Sequence, residues 1–200
     1  MLFLFLLLLS GSVLADTSPD VVVKQMVDDV LTPIKRNQGM TKDPQKMEAL
    51  VDASVFPRLD FVRLCQLTVG QKYWGSASPE TREQLAGEYH TFLLHVFSDV
   101  IAQYTDQTIL YLPFRMRPDA REAKVKTVVM DPRDESTELD YKLEKMDKGW
   151  LIYDVDIDNM SVIRIYHSNF SDTLLHGGVS HLVRVLHEKN LKAAAARNGE

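Results

Sequence analysis

The hydrophobic residues of this chain recur with a helical spacing up to residue 104, alternate with polar residues through the middle, and return to a helical spacing near the end. Apolar positions three or four apart predict amphipathic helices over residues 21–36, 44–51 and 59–69. Four alternating runs between residues 108 and 158 are separated by turn residues, which predicts an antiparallel meander. Helices, then a sheet, then helices again predict one α+β domain.

The strongest helical signal starts at Ser78, a favourable N-cap residue that is followed by proline and glutamate. The apolar stripe beyond it extends to Tyr104 and is rich in aromatic residues, so we expect it to pack against the sheet. After the strands, Ser161 is expected to cap a further helix, which Gly177 and Gly178 should break before the last helix begins.

Aspartates at positions 154, 156 and 158 alternate with apolar residues and raise the question of a calcium loop. An EF-hand loop that starts at Asp154 requires glycine at its sixth position and glutamate at its twelfth, where this chain has Asn159 and Ile165. We therefore predict a β-strand that is acidic at one end. Its expected faces are Leu151, Tyr153, Val155 and Ile157 on one side and Trp150, Ile152, Asp154 and Asp156 on the other.

Charge and residue types exclude several other functions. The net charge of −5 and the pI near 5.7 argue against nucleic-acid binding, which requires a basic surface. The single Cys65 cannot form an intramolecular disulfide, and we expect it to be a buried apolar residue of a helix. His90 and His95 lack a second ligand four residues away on the same helical face, so we predict no metal site.

The first residues predict export. Residues 1–15 form an uncharged apolar run that ends in small residues, as in a signal peptide cleaved before Asp16. We therefore expect a mature domain of residues 16–200 without a membrane span.

Three segments resemble one known family. The segment "LTVGQKYWGSASPETREQLAGEYHTFLLHVFSDVIAQY" resembles its G-x-x-W/Y, S/T-P-x-x-R and aromatic-rich helix, and "GGVSHLVRVLHEKN" resembles its closing helix. The most specific match is "GWLIYDVDIDNMSVIRIYHSNF", which is similar to W-x-x-Y-D-V-x-x-x-G-V-S-x-x-x-x-Y-R-x-x-F. Here Asn159, Met160 and His167 replace the family's usual glycine, valine and arginine. The chain is thereby identified as a member of the MlaC, or toluene-tolerance auxiliary, family.

This resemblance implies an α+β, NTF2-like fold, in which a curved antiparallel sheet of about four strands and several helices surround a lipid cavity. It implies a monomeric periplasmic carrier with phospholipid as cargo and no cofactor. The implied partners are an inner-membrane ABC transporter complex with an MCE-domain protein and an outer-membrane lipoprotein–porin complex. Transfer between these two complexes would maintain the lipid asymmetry of the outer membrane.

Candidate site residues follow from the apolar positions of the strands and of the long helix. Sequence periodicity does not distinguish a filled core from an open pocket. The expected pocket wall is Phe92, Val96, Phe97, Val100, Tyr104, Val125, Tyr141, Leu143, Tyr153, Val155 and Tyr166. The cations expected at the head group are Arg82, Lys124, Lys126 and Arg164, because charge-assisted contacts hold phosphate.

Two other functions are compatible with the sequence. In an NTF2-like cavity enzyme acting on a small apolar substrate, Asp140 or Asp154 would shift protons with Tyr141 or Tyr153. We favour a protein that is not an enzyme, because no convergent catalytic motif appears in the sequence. The other alternative is an adaptor of the transporter that binds no ligand.

Overall fold

The computed structural model describes residues 17–133 and 135–198. The predicted signal peptide and its cleavage site lie outside these residues. The helices are α1 (Pro19–Arg36), α2 (Pro44–Ser54), α3 (Phe61–Val69), α4 (Gln71–Ser76), α5 (Pro79–Ile101) and α6 (Val162–Asn198), with short 3-10 helices at Gln38–Lys42 and Phe56–Arg58. The strands are β1 (Thr108–Tyr111), β2 (Glu122–Met130), β3 (Thr137–Met146), β4 (Gly149–Ile157) and β5 (Met160–Ser161).

The strands form one antiparallel sheet in the order β1-β2-β3-β4-β5. The predicted α+β class and the meander are confirmed, with the two-residue β5 added to the four expected strands. Helices pack on the sheet as expected, but the helix that covers its apolar face is α1.

Local sequence signals account for several helix ends. The Ser78 hydroxyl accepts a hydrogen bond from the Thr81 amide at 3.2 Å, which confirms the predicted N-cap of α5. At the end of α3, Gly70 adopts a φ of 82°, a conformation that costs little without a Cβ, and so separates α3 from α4. Ser161 caps α6 as predicted, since its hydroxyl accepts a hydrogen bond from the Arg164 amide at 3.1 Å.

A β-bulge at Tyr153 divides the side chains of β4 differently from the predicted alternation. Leu143 pairs with Ile152, and Tyr141 pairs with Val155, so Tyr153 is the extra residue on its strand. Paired residues share a face of the sheet, and Ile152 and Val155 therefore lie together. The prediction that Tyr153 and Val155 share one face was wrong, because the bulge adds one residue to the alternation between them.

The apolar face of the sheet packs against α1. Val125, Tyr141 and Leu143 of the sheet form a buried cluster with Val23 and Met26 of α1. The expected packing of the α5 stripe against this face was wrong, since the buried apolar residues of α5 belong to a second cluster with α3 and α6. The sequence pattern shows which side of α5 is apolar but does not show which element covers it.

The predicted break is confirmed, because α6 consists of two helices joined at a kink. Gly178 alone departs from helical geometry inside α6, with φ 64° and ψ −161°. A side chain on Gly177 would come within 2.5 Å of the His181 Cβ, so the two glycines permit a kink at close approach. Over residues 17–133 and 135–198, the helices lack the combination of length and apolar character required to cross a membrane.

Candidate functional site

The apolar face of the sheet and α1 enclose a layer that opens to solvent beside β1. A cleft of about 430 Å³ lies there, and a second cleft of about 300 Å³ adjoins it and shares Lys35, Tyr104 and Thr105. The apolar lining of the first cleft consists mainly of Val27, Leu31, Tyr104, Ile109 and Tyr111. The first cleft therefore borders the layer beneath α1, because Val27 and Tyr111 belong to both.

Tyrosine hydroxyls lie at this layer. Burial raises the pKa of Tyr141 to about 12, although a hydrogen bond with Thr127 opposes the shift. Burial also raises the pKa of Tyr111, and the negative charge of Asp28 adds to the effect. Within the described part of the chain, the buried Tyr111 hydroxyl has no hydrogen-bond partner. Because the Tyr111 side chain also lines the first cleft, an unpaired hydroxyl lies close to that cleft.

The predicted wall residues separate into two groups. Val125, Tyr141, Leu143 and Val155 lie on the apolar face beneath α1, and Tyr104 lines both clefts. The other group packs in the cluster formed by α3, α5 and α6 and consists of Phe92, Phe97, Tyr153 and Tyr166.

Two predicted wall residues belong to neither group. Val96 is half-buried on α5, whereas Val100 is 62% exposed near the end of that helix. The structure therefore does not bring Val100 together with the other predicted wall residues.

The aromatic side chains between the helices pack directly against one another. The Phe92 and Tyr166 rings meet edge to face at 5.4 Å between centroids, and Tyr166 stacks on Phe170 at 5.7 Å. Tyr89, 1% exposed, contacts Phe92, Tyr166 and Phe170. Such pairs add stability beyond area burial. These contacts favour a core role for Phe92 and Tyr166, and their place in a pocket wall stays a prediction.

The opposite face of the sheet carries a network of lysines and aspartates. The Lys142 Nζ lies 2.9 Å from Asp154 Oδ2 and 2.6 Å from Asp156 Oδ1. The Asp140 Oδ2 is 3.1 Å from Lys124 Nζ and 3.2 Å from Lys126 Nζ. The three carboxylates are each buried, while the two β2 lysines are about half exposed. This network explains the acidic end of β4 without a metal.

The network also shifts the pKa values of its members. The pKa of Lys124 is raised, mainly by its hydrogen bond to Asp140. Burial alone would raise the pKa of Asp156, but hydrogen bonds and charge from Lys142 and Lys124 outweigh it and lower the pKa. For Lys142 burial favours the neutral form, and the hydrogen bonds to Asp156 and Asp154 again prevail, so its pKa is raised.

Asp154 also connects the sheet to the last helix. Its carboxylate accepts hydrogen bonds from the Ser161 hydroxyl at 2.8 Å and from the Ile163 amide at 3.2 Å. Asp154 thus ties β4 to the start of α6, where amide donors favour negative charge. Within the described residues, no group of three or more histidine, cysteine, aspartate or glutamate side chains could hold a metal ion.

The four predicted head-group cations lie in three environments. Lys124 and Lys126 share Asp140 in the network. The Arg82 Nε donates a hydrogen bond to the Trp74 carbonyl at 2.9 Å, and its guanidinium lies over the Trp74 ring at 5.3 Å. The Arg164 guanidinium donates a hydrogen bond to the Asn159 carbonyl at 3.3 Å. A head-group role for these cations stays a prediction, because each has a partner within the protein.

Two features of the site were missed from the sequence. The cover supplied by α1 was missed, although the apolar spacing of that helix was recognised. The second is Arg63 of α3, whose guanidinium lies 3.9 Å from the Tyr153 ring centroid and pairs with Glu122 at 3.0 Å and with Glu144. Cation–π contact and ion pairs thus connect α3 to the sheet at the bulge.

Fold and site together define an α+β domain in which one helix covers the apolar face of an antiparallel sheet, with clefts beside it. The MlaC protein family model matches residues 24–188. The chain belongs to the MlaC family.

Individual relatives agree with this assignment. The chain is 21% identical over 165 residues to the toluene tolerance protein ttg2D of Pseudomonas putida, covering 82% of this chain and 76% of that protein. It is 22% identical over 180 residues to the intermembrane phospholipid transport system binding protein MlaC of Haemophilus influenzae, covering 88% and 84%. A phospholipid-binding protein from Ralstonia solanacearum, solved in complex with a phospholipid, superposes with a TM-score of 0.80 at 34% identity, covering 90% of this chain and 99% of that one.

Proposed function

We propose that this protein binds phospholipid and carries it between membranes. The observation that carries the proposal is the similarity to the Ralstonia solanacearum protein, which extends over 90% of this chain and whose structure contains a phospholipid. The apolar layer beneath α1 supplies a physical basis, because acyl chains require an apolar, water-free environment.

The acyl chains, in this proposal, lie between α1 and the apolar face of the sheet. Val125, Tyr141, Leu143 and Val155 then contact the chains, and Tyr104 lies at their entry. The clefts of about 430 and 300 Å³ are in the range of drug-sized ligand sites, roughly 300–1,000 Å³, and two long acyl chains need more room. We therefore propose that α1 moves outward when lipid enters.

The energetics suit a carrier. Burying a methylene group gains roughly 0.8 kcal/mol, so two chains with about thirty methylenes gain on the order of 20 kcal/mol relative to water. A bilayer supplies nearly the same gain. The free energy of transfer between bilayer and protein is then close to zero, and the partners determine the direction of transfer.

The family resemblance supports a more specific role in the cell envelope. The protein acts as a monomer in the periplasm after removal of residues 1–15. It exchanges lipid with an inner-membrane ABC transporter complex that contains an MCE-domain protein and with an outer-membrane lipoprotein–porin complex, and so maintains outer-membrane lipid asymmetry. The head group stays at solvent, near cations drawn from Arg82, Lys124, Lys126 and Arg164.

Mass spectrometry of an organic extract tests the proposal directly. Protein purified without detergent should release phospholipid in near-stoichiometric amount. Negligible lipid in protein shown to be folded by circular dichroism would contradict it and would favour an adaptor that binds no ligand.

A further inference from the structure

The loop between β1 and β2 combines positive charge with exposed apolar side chains. This β1–β2 loop (residues 112–121) contains three arginines and one aspartate, a net charge of +2 in a chain whose net charge is −5. Leu112 is 36% exposed and Met116 is 40% exposed. A surface of this composition is unusual for an acidic protein and indicates a partner that is anionic and partly apolar.

The arginines of this loop are available to such a partner. Arg117 approaches Asp119 at only 4.0 Å, and both side chains are more than four-fifths exposed. Over residues 17–133 and 135–198, Arg115 and Arg121 form no ion pair. They differ in this from Lys124 and Lys126 on the following strand, which are paired with Asp140.

The backbone holds the loop in a defined position. The Leu112 amide donates a hydrogen bond to the Lys126 carbonyl at 3.0 Å, and the Lys145 amide donates one to the Arg121 carbonyl at 2.8 Å. Phe114, between these anchors, is half-buried against the apolar cluster beneath α1. The loop is therefore fixed at both ends and continuous with the layer in which we place the cargo.

We propose that the β1–β2 loop docks on an anionic phospholipid surface. Each arginine guanidinium can donate two hydrogen bonds to the oxygens of one phosphate. Leu112 and Met116 then reach the apolar region just below the head groups. Apolar and cationic positions alternate along residues 114–117, which suits a planar interface with phosphate above hydrocarbon better than an acidic protein surface. The proposal rests on the proposed lipid-carrier function, and it identifies the part of the carrier that meets the membrane.

Co-sedimentation with vesicles tests this docking. Protein is expressed from the full chain, purified in the form that the cell produces, and mixed with vesicles of phosphatidylcholine alone or of equal parts phosphatidylcholine and phosphatidylglycerol. We expect binding to the anionic vesicles only, decreasing as salt is raised. The triple variant Arg115→Gln/Arg117→Gln/Arg121→Gln should bind on the order of a hundredfold more weakly, since each arginine near such a surface contributes roughly fivefold.

A matched variant controls for net charge. Lys24→Gln/Lys189→Gln/Lys192→Gln removes the same charge from exposed lysines elsewhere and should bind like the wild type. Met116→Ser should weaken binding less than the arginine variant does. Equal binding by the loop variant and the wild type, or an equal loss in the lysine variant, would overturn the proposal. So would a lack of binding to anionic vesicles, which would leave an acidic protein as the partner.

Lipid extraction from the same preparations separates this proposal from the carrier function. Co-purified phospholipid retained in the arginine variant, together with lost vesicle binding, supports a docking loop distinct from the cargo site. Wild-type protein without phospholipid that still binds anionic vesicles through the loop would contradict the carrier function alone.

Discussion

The Ser161 hydroxyl donates a hydrogen bond to the buried Asp154 carboxylate at 2.8 Å, and this contact joins the end of the sheet to the first turn of α6. Lys142 neutralises the same carboxylate from the neighbouring strand. The aspartate of the family's Y-D-V motif therefore has an architectural role that its position in an acidic strand did not suggest.

Replacement of Asp154 by alanine should strongly destabilise the fold. Removing one partner from a buried charged network costs roughly 3–5 kcal/mol, because the remaining groups lose their compensation. Asp154→Asn should lose less, since an amide oxygen still accepts from Ser161. Urea unfolding monitored by circular dichroism measures both. The exposed Asp172→Ala is the control, and an Asp154→Ala variant as stable as this control would contradict the assigned role.

Acid stability should depend on Asp156. Its pKa is lowered in the folded protein, so it stabilises the fold at any pH above its unfolded-state pKa. That contribution is lost as the pH falls from about 4 through the lower pKa of the folded state. Asp156→Asn should therefore destabilise the protein at neutral pH and flatten the decline of stability in acid. Urea midpoints measured across this range test it, and parallel curves for wild type and variant would refute it.

Leu93 and Val100 lie on the same helix, but truncation should destabilise the protein strongly at Leu93 and hardly at all at Val100. Leu93 is fully buried, and Leu93→Ala should cost about 2–5 kcal/mol of unfolding free energy. Val100 is 62% exposed, and Val100→Ala should change stability by less than about 0.5 kcal/mol without changing the amount of co-purified lipid. Loss of lipid from the Val100 variant would return that residue to the pocket wall.

Tryptophan quenching should locate the acyl chains. Trp150 lies buried in the cluster beneath α1, and Trp74 packs against the cluster of α3, α5 and α6. Phospholipid with brominated acyl chains should quench Trp150 in the Trp74→Phe variant and leave Trp74 nearly unquenched in the Trp150→Phe variant. The opposite pattern would place the chains among the helices, beside Phe92 and Tyr166.

Cys65 should be inert in the folded protein. The thiol is fully buried and burial raises its pKa to about 12, so little thiolate is present at neutral pH. A coloured disulfide reagent should react with it only after denaturation. A cysteine introduced at the exposed Lys192 in a Cys65→Ser background is the accessible control and should react at once.

The extent of sequence-based prediction varied with the range of the interactions. Ser78 and Ser161 act within a few residues along the chain, and their capping roles were predicted correctly. Strand alternation was recognised for the same reason. The bulge at Tyr153 was missed, because one extra residue leaves no mark in a pattern of apolar and polar positions.

The candidate site was predicted less well, because its contacts join residues that are far apart in the sequence. The sequence showed that Lys124, Lys126 and the β4 aspartates occupy polar positions but did not show that they meet across three strands. Only the two lysines were predicted to meet a head group, and that role stays a prediction. The placement of α1 over the apolar face likewise depends on packing between distant segments, which periodicity does not encode.

The open edges of the sheet have a consequence for colloidal behaviour. One edge is the four-residue β1. At the other edge, β5 pairs only with Asp156 and Ile157 of β4, and Leu59 forms a bridge to Ile152 farther along the same strand. Pro113, which follows β1 closely, has no amide hydrogen to continue the ladder. Edges interrupted in this way limit intermolecular sheet growth and oppose fibril formation at high protein concentration.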